Sequence, residues 1–204
     1  EAKDWPNPEK GFAAMITHMD RDVGRIMALL KNLEIDKNTL VIFTSDNGPH
    51  HEGNHDYTFF DSNGPLKGYK RDLYEGGIRV PMLARWPCKI KAGSTSAYTS
   101  AFWDWLPTVC ELAGAKVPND LDGISLVPAF MGKTEKRNGP LFWLYEERRG
   151  RKAAIRSGKW KAIQNSEDAD WELYDLSKDI GEENDLAKNN PELLGGLVRL
   201  LEEG

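Results

Sequence analysis

Residues 39–55 read TLVIFTSDNGPHHEGNH, and this stretch decides the fold of the chain. Its first six residues, 39–44, are mostly β-branched and aromatic, which is typical of a strand covered on both faces. The residues between Pro8 and Leu33 place apolar side chains three and four positions apart, as in an amphipathic helix. A long helix that leads into a buried strand predicts an α/β sheet.

Two metal-site patterns overlap directly after this strand. Residues 51–55, HEGNH, match the H-E-x-x-H pattern of zinc proteases, which requires a helix that brings both histidines to one face. A central glycine and asparagine, and Gly48-Pro49 just before, disfavour that helix, so we expect a loop that binds no zinc.

Asp46 and Asn47 offer the second pattern, because a carboxylate and an amide carbonyl are hard oxygen donors suited to calcium or magnesium. Ligands of open α/β sheets collect beyond the carboxyl ends of the strands, where these two residues lie. We therefore predict Asp46 and Asn47 as metal ligands. A plain Asx turn that closes the strand is the alternative.

The remainder of the chain changes character twice. Residues 46–77 show no periodicity, and a loop of this length is usually functional or disordered. After Gly139, short aromatic and β-branched segments alternate with turns, which predicts a small antiparallel sheet of four strands. Pro191 is expected to open a closing helix. We predict two parts, residues 1–138 and 139–204, with the cationic run 148–152 as a solvated turn.

Composition excludes several classes of partner and site. The 204 residues carry a net charge of -5, which leaves no basic surface for nucleic acid. We therefore expect no nucleic-acid partner. No apolar run approaches the roughly 20 residues of a membrane span, so we expect no membrane span either. Cys88 and Cys110 form no metal-binding pattern; we expect two buried free thiols, with a disulfide left open.

Asp104 is expected to cap a helix that stops at Gly114.

The segment NGPLKGYKRDLYEGGIRVP, residues 63–81, downstream of FTSDNG at 43–48, resembles the arylsulfatase-type sulfatases of the alkaline phosphatase superfamily. Further agreement lies at 14–24, 106–108, 121–125 and 173–176. The resemblance implies the C-terminal portion of an α/β, alkaline-phosphatase-like mixed sheet between helices. In that family, residues 1–138 would belong to the catalytic domain, and 139–204 would form a small antiparallel four-stranded sheet with a C-terminal helix.

The resemblance also implies an activity, hydrolysis of sulfate esters by a formylglycine beside a calcium ion. Asp46 and Asn47 match metal ligands of the family, and Lys70 matches the lysine that contacts the sulfate and the bridging oxygen. His55 resembles a substrate-facing histidine of some members, although a histidine bonded only within the protein fits the position nearly as well. Lys70 and His55 are thus the predicted catalytic residues.

The chain departs from the family in two respects. The family makes formylglycine from the Cys or Ser of a Cys/Ser-x-Pro-x-Arg motif, and neither cysteine nor any serine here begins one. The family's first acidic metal pair also has no counterpart. We expect these parts in a missing N-terminal portion, and no turnover by the 204 residues alone.

Several further expectations rest on the same resemblance. The substrate would be a small sulfate ester, an aryl sulfate or a sulfated carbohydrate, and the location extracytoplasmic: periplasmic, lysosomal or secreted. A phosphatase or phosphonate hydrolase of the superfamily, and a non-catalytic module that binds sulfated glycans, are the alternatives. Gly76 and Gly77 are expected to supply backbone angles closed to other residues, and Glu75 could pair with Arg79 rather than touch substrate.

Overall fold

The computed structural model describes residues 4–133, 137–147 and 150–203. The helices are α1 (Asn7–Asn32), α2 (Glu75–Ile78), α3 (Trp105–Ala113), α4 (Val127–Phe130) and α5 (Pro191–Glu203). The strands are β1 (Val41–Thr44), β2 (Met82–Arg85), β3 (Leu141–Glu147), β4 (Gly150–Ser157), β5 (Trp160–Gln164) and β6 (Glu172–Asp175). The long first helix and the closing helix at Pro191 confirm the helical periodicity read from the sequence.

β1 is shorter and less covered than its apolar sequence predicts. It begins at Val41 rather than at residue 39, and it pairs with β2 in a two-stranded sheet. Phe43 remains 36% exposed. None of the four β1 residues is buried, so the prediction of a strand covered on both faces is wrong for the described part of the chain.

The C-terminal strands form the predicted antiparallel sheet, in the order β3-β4-β5-β6. Its register places Tyr145 opposite Lys152 and Ser157 opposite Trp160. The expectation of a solvated turn at residues 148–152 is wrong in part, because residues 150–152 already belong to β4. Residues 148 and 149 lie outside the described residues.

The two faces of this sheet bury different partners, because successive side chains of a strand point to opposite sides. On one face, Ile155, Ala162 and Leu173 pack with Leu197 of α5. On the other face, Ala154, Ile163 and Tyr174 pack with Leu73, which belongs to the long loop. The end of the 46–77 loop is thus seated on the C-terminal sheet.

Asp104 is the residue before α3, as predicted, but its side chain makes no capping hydrogen bond to that helix. Its fully buried carboxylate accepts hydrogen bonds from the backbone N–H groups of Ala101 and Ile124, and pairs with Arg137 at 2.7 Å. Gly114 ends the helix with a φ of 63°, as predicted. Asp104 therefore ties three chain segments together.

Both cysteines are free thiols. Cys88 is exposed and Cys110 is partly buried, so the expected burial is wrong for Cys88. Cys88 sits in a turn with a φ of 65°.

Residue contacts divide the chain into two compact units. One unit comprises the described residues among 1–25, 44–81 and 140–204, and the other comprises residues 26–43 and 82–139. The sequence-based organisation into residues 1–138 and 139–204 stays a prediction. Among the described residues, none of the helices is both long and apolar enough to cross a membrane.

Candidate active site

The residues after β1 form a tight turn that presents oxygen atoms. Ser45 donates its hydroxyl to the carbonyl of Asn47 at 2.8 Å, and the Asn47 side-chain amide donates to the carbonyl of Gly48 at 2.9 Å. Because Nδ2 of Asn47 is used in this way, its Oδ1 is the end of the side chain left to act as an acceptor. Asp46 beside it is exposed.

Asp46 and Asn47 fit part of a calcium site. Both supply hard oxygen donors, but calcium takes about 6 to 8 oxygen ligands. Within residues 4–133, 137–147 and 150–203, no group of three or more His, Cys, Asp or Glu side chains is arranged to hold a metal ion. The pair therefore has the chemistry of a half-site, and the metal role of these residues stays a prediction.

Glycines hold this turn against the segment at α2. The N–H of Gly48 donates to the carbonyl of Gly77 at 2.9 Å. A Cβ atom at Gly48 would lie 1.8 Å from the carbonyl oxygen of Gly76, and one at Gly77 would lie 2.1 Å from that of Asp72. Gly76 and Gly77 sit in the α2 turn without a positive φ, so the expectation of special backbone angles is wrong. Close backbone packing is what excludes side chains there.

Lys70 lies beside the same turn. Its backbone N–H donates to the carbonyl of Pro49 at 2.7 Å, two residues beyond Asn47. Its ammonium is partly exposed and pairs with Glu52 at 2.8 Å, and Arg71 reaches the same carboxylate oxygen at 3.2 Å. The hydrogen bond from Lys70 is the main cause of a lowered pKa at Glu52. The backbone of Lys70 is thus bonded to the segment that follows the predicted metal ligands, while its ammonium pairs with Glu52.

A buried charge network holds the segment around Glu75, which follows Lys70 in the sequence. Lys161 is fully buried and contacts both Glu75 and Glu182, each at 2.9 Å. Glu182 also accepts the backbone N–H of Glu75 at 2.6 Å. Arg79 pairs with Glu75 at 3.3 Å, which confirms the expected internal pairing.

The two carboxylates of this network differ in pKa. Burial pushes the pKa of Glu75 upward, but the field and hydrogen bond of Lys161, together with the fields of Arg156 and Arg79, outweigh it, so the pKa is lowered. Burial dominates at Glu182 and raises its pKa. The network therefore combines one stabilised carboxylate with one whose ionisation is costly.

Residues 51–55 form no regular helix, as predicted. Glu52–Asn54 make a short 3-10 turn in which Gly53 has a φ of 66°. The ring of His51 lies edge-on to Tyr57 and Tyr69, while His55 forms a hydrogen bond with Glu9. That these histidines bind no zinc stays a prediction.

His55 is buried rather than presented at the surface. It is 4% exposed, its Nδ1 lies 2.6 Å from Oε2 of Glu9, and its ring stacks on Phe12 at 4.0 Å between centroids. The other oxygen of Glu9 accepts the N–H of Asp56 at 2.9 Å. This geometry favours the alternative of a histidine bonded within the protein, and a catalytic role for His55 stays a prediction.

Sequence reasoning missed three residues of this region. Glu9 looks like an ordinary acidic residue in the first turn of a helix. Lys152 donates to the carbonyl of Arg71 at 3.1 Å and to Asp72 at 3.3 Å, although it lies in a run that looks solvated. His50 accepts the N–H of Glu52 on its Nδ1 at 2.9 Å. No local pattern signals these contacts, apart from the position of His50 three residues after Asn47.

Comparison with known proteins identifies the family. The profile described as Sulfatase matches residues 10–115. The chain belongs to the sulfatase family. Human arylsulfatase A is 36% identical over 93% of this chain and 42% of its own length. N-acetylglucosamine-6-O-sulfatase of Bacteroides thetaiotaomicron is 34% identical over 95% of this chain and 35% of its own length.

A solved structure agrees with the architecture. The structure of Ps i-CgsB in complex with k-i-k-neocarrahexaose superposes with a TM-score of 0.87 at 35% identity, covering 98% of this chain and 44% of that one. The resemblance to sulfatases of the alkaline phosphatase superfamily and the α/β fold class are thereby confirmed. The chain spans less than half the length of these relatives.

Proposed function

We propose that this protein hydrolyses sulfate esters, and that this chain supplies the cation Lys70 and the oxygen ligands Asp46 and Asn47. One observation carries the proposal: in a chain of the sulfatase family, the backbone of Lys70 is bonded to Pro49, directly after the Asp46-Asn47 turn. This bond places the backbone of Lys70 beside the segment that carries the two hard oxygen donors. A cation together with a metal-binding pair suits the anionic sulfate group of a sulfate monoester.

Lys70 would offset charge on the ester. As the bond between sulfur and the bridging oxygen breaks, negative charge grows on that oxygen, and a preorganised ammonium stabilises it. Glu52 holds the ammonium when no anion is bound, so an incoming sulfate must take the place of that carboxylate. The glycine contacts at residues 48, 76 and 77 fix the two backbone segments on which these groups stand.

Asp46 and Asn47 would hold calcium together with ligands from outside these 204 residues. When bound, the ion would supply charge compensation and orientation for the sulfate oxygens. Because no Cys/Ser-x-Pro-x-Arg occurs in the chain, we place the formylglycine outside it as well. The residues described here then bind, orient and stabilise charge, but do not provide the nucleophile.

We further propose a sulfated carbohydrate as the substrate. The relative from Bacteroides thetaiotaomicron is named for a sulfated amino sugar, and the structural neighbour was crystallised with an oligosaccharide of the carrageenan type. An extracytoplasmic location, periplasmic, lysosomal or secreted, belongs to the same proposal through the family resemblance. Fractionation of the source cells tests the location.

The test is a comparison of variants of the protein expressed from its complete gene. Lys70→Ala is expected to lower kcat/KM for glucosamine 6-sulfate and for 4-nitrophenyl sulfate by about 100- to 1,000-fold, the usual cost of one transition-state donor. Lys178→Ala changes an exposed lysine of the same compact unit and should leave both values unchanged. Calcium removal by a chelator should lower turnover of both substrates.

Three results would contradict the proposal. Full activity of Lys70→Ala would remove Lys70 from the site. Faster turnover of phosphate or phosphonate esters than of sulfates would favour the other branch of the superfamily. Tight binding of sulfated glycans by the wild-type protein without any turnover would indicate a binding module.

A further inference from the structure

We propose that Arg71 is a second cation of the substrate site, which binds the sulfate group of the ester together with Lys70, and that the Glu52 carboxylate occupies this anion position in the free protein. The inference rests on the proposed sulfatase function of the Lys70 site. It adds a binding residue that the sequence did not single out, since the family resemblance gave a role to Lys70 and none to its neighbour.

The side chains of Lys70 and Arg71 converge on one atom. The ammonium of Lys70 lies 2.8 Å from Oε1 of Glu52, and a terminal guanidinium nitrogen of Arg71 lies 3.2 Å from the same oxygen. The side chains of Arg71 and Glu52 are each 50% exposed, so this point is open to solvent. An anionic oxygen that takes the place of Oε1 therefore contacts both cations.

The backbone of Arg71 is unfavourable for an arginine. Its φ of 78° lies in the left-handed region, where glycine fits readily and a residue with a Cβ atom is strained. The Arg71 carbonyl accepts the ammonium of Lys152 at 3.1 Å, and that ammonium also contacts Asp72 at 3.3 Å. Strained residues that are held by surrounding contacts concentrate at functional sites. The chain thus carries a long cationic side chain at a position whose backbone favours glycine.

Glu52 is placed so that an arriving anion can displace it. It belongs to the short turn Glu52–Asn54, whose three residues are all exposed. The cations stand on a more firmly held segment, because the N–H of Lys70 donates to the Pro49 carbonyl at 2.7 Å. Exposed ion pairs contribute little to stability, so exchange of this carboxylate for another anion costs little. Rotation of one side chain is enough to uncover the position.

The ligand that fits this position is an oxyanion with one negative charge. A sulfate monoester carries the same charge as the carboxylate that it replaces, so the balance of charge around Lys70 and Arg71 is kept. Its sulfate group presents several oxygens, which can accept hydrogen bonds from the ammonium and the guanidinium at the same time. Hydrogen bonds between two charged partners are stronger than those between neutral groups.

The first variant removes the second cation in the protein expressed from its complete gene. Arg71→Gly suits the left-handed backbone, so its melting temperature should stay close to that of the wild type. It should weaken the binding of inorganic sulfate, measured by isothermal titration calorimetry, by about 10-fold. The KM for 4-nitrophenyl sulfate should rise by about the same factor, with kcat changed by less than about 3-fold, because the contact is made before and during the reaction.

The second variant removes the competing charge. Glu52→Gln keeps the shape of the side chain but leaves no carboxylate at the anion position, so sulfate should bind about 3- to 5-fold more tightly. Damage to the fold does not produce such a gain in affinity. Arg25 and Asp22 provide the matched control, since they form an exposed pair at the same distance, 3.2 Å, in the same compact unit. Arg25→Ala and Asp22→Asn should change neither sulfate affinity nor KM.

The outcomes separate this inference from the proposed function. Wild-type sulfate affinity in Arg71→Gly would remove Arg71 from the site, and unchanged or weaker binding by Glu52→Gln would show that the carboxylate does not occupy the anion position. With normal turnover of 4-nitrophenyl sulfate by the wild type, either result overturns the inference while the sulfatase function stands. The expected changes in sulfate binding, without turnover of any sulfate ester by the wild type, would overturn the proposed function and leave the two-cation anion position. Absence of both sulfate binding and turnover would overturn both.

Discussion

Lys161→Met is the perturbation whose cost the structure fixes most directly. Lys161 is fully buried and lies 2.9 Å from both Glu75 and Glu182, which are themselves 1% and 0% exposed. Methionine fills a similar volume but leaves both carboxylates without this cation. Removing one partner of a buried ion pair costs about 3–5 kcal/mol. At about 2–4 °C per kcal/mol for a chain of this size, the melting temperature should fall by roughly 10 °C.

The charge origin of this loss can be separated from packing by its pH dependence. In the wild type, the lowered pKa of Glu75 contributes stability above its ordinary value of 4.5, and this is lost as the pH falls. The raised pKa of Glu182 acts in the opposite direction, so its contribution is lost as the pH rises through the folded-state pKa. Without Lys161, Glu75 keeps Arg79 and Arg156 as partners, whereas Glu182 loses its cation, so burial should raise the pKa of Glu182 further. The variant should therefore lose stability as the pH rises, and the deficit should be larger at pH 8 than at pH 5.

Urea denaturation followed by tryptophan fluorescence at the two pH values measures the effect. Lys159→Met is the matched control, because Lys159 pairs with Asp175 at 2.6 Å while remaining 47% exposed. The Asp175 side chain is 5% exposed, but it keeps its hydrogen bonds from Ser177 when Lys159 is replaced, so the control should cost only about 1 kcal/mol. A loss below about 1 kcal/mol for Lys161→Met, or a deficit that does not depend on pH, would refute the reasoning.

Three further predictions concern the contacts around the site. Gly48→Ala should lower the free energy of unfolding by about 3 kcal/mol or more and abolish turnover, since its Cβ would lie 1.8 Å from the carbonyl oxygen of Gly76. Gly24→Ala is the matched control: Gly24 has open space around it on α1, so this change should raise the free energy of unfolding by about 0.5–1 kcal/mol. Thermal melts of both variants check this, and a stable, active Gly48→Ala would contradict it. Glu9→Ala should cost about 3 kcal/mol by removing two buried hydrogen bonds, to His55 and to the Asp56 N–H, while Glu9→Gln should cost about 1 kcal/mol; equal losses in urea denaturation would argue against this. Cys88→Gly should relieve about 1–2 kcal/mol of left-handed strain against about 0.5–1 kcal/mol of added chain entropy. The expected net gain is about 0.5 kcal/mol in calorimetry, and Cys88→Ala should show none.

Local patterns in the sequence determined most of the secondary structure. The three-and-four spacing before residue 33 gave α1, and the alternating aromatic segments after Gly139 gave the four antiparallel strands. Gly114 marked the end of α3 correctly. These features depend on neighbours a few residues away, so a single sequence contains the information. The family resemblance also rested on contiguous residues, the segment 63–81.

The tertiary structure alone decided which polar groups meet. Glu9 and His55 are 46 positions apart in sequence, and Lys161 and Glu75 are 86 apart. Nothing local distinguishes such residues from surface charges, because their partners come from other segments. The close packing of Gly48 against Gly76, which replaced the expected explanation by backbone angles, likewise arises between distant backbones. Side-chain burial and orientation are properties of the packed chain, and so only the structure shows that His55 is buried against Glu9 and Phe12.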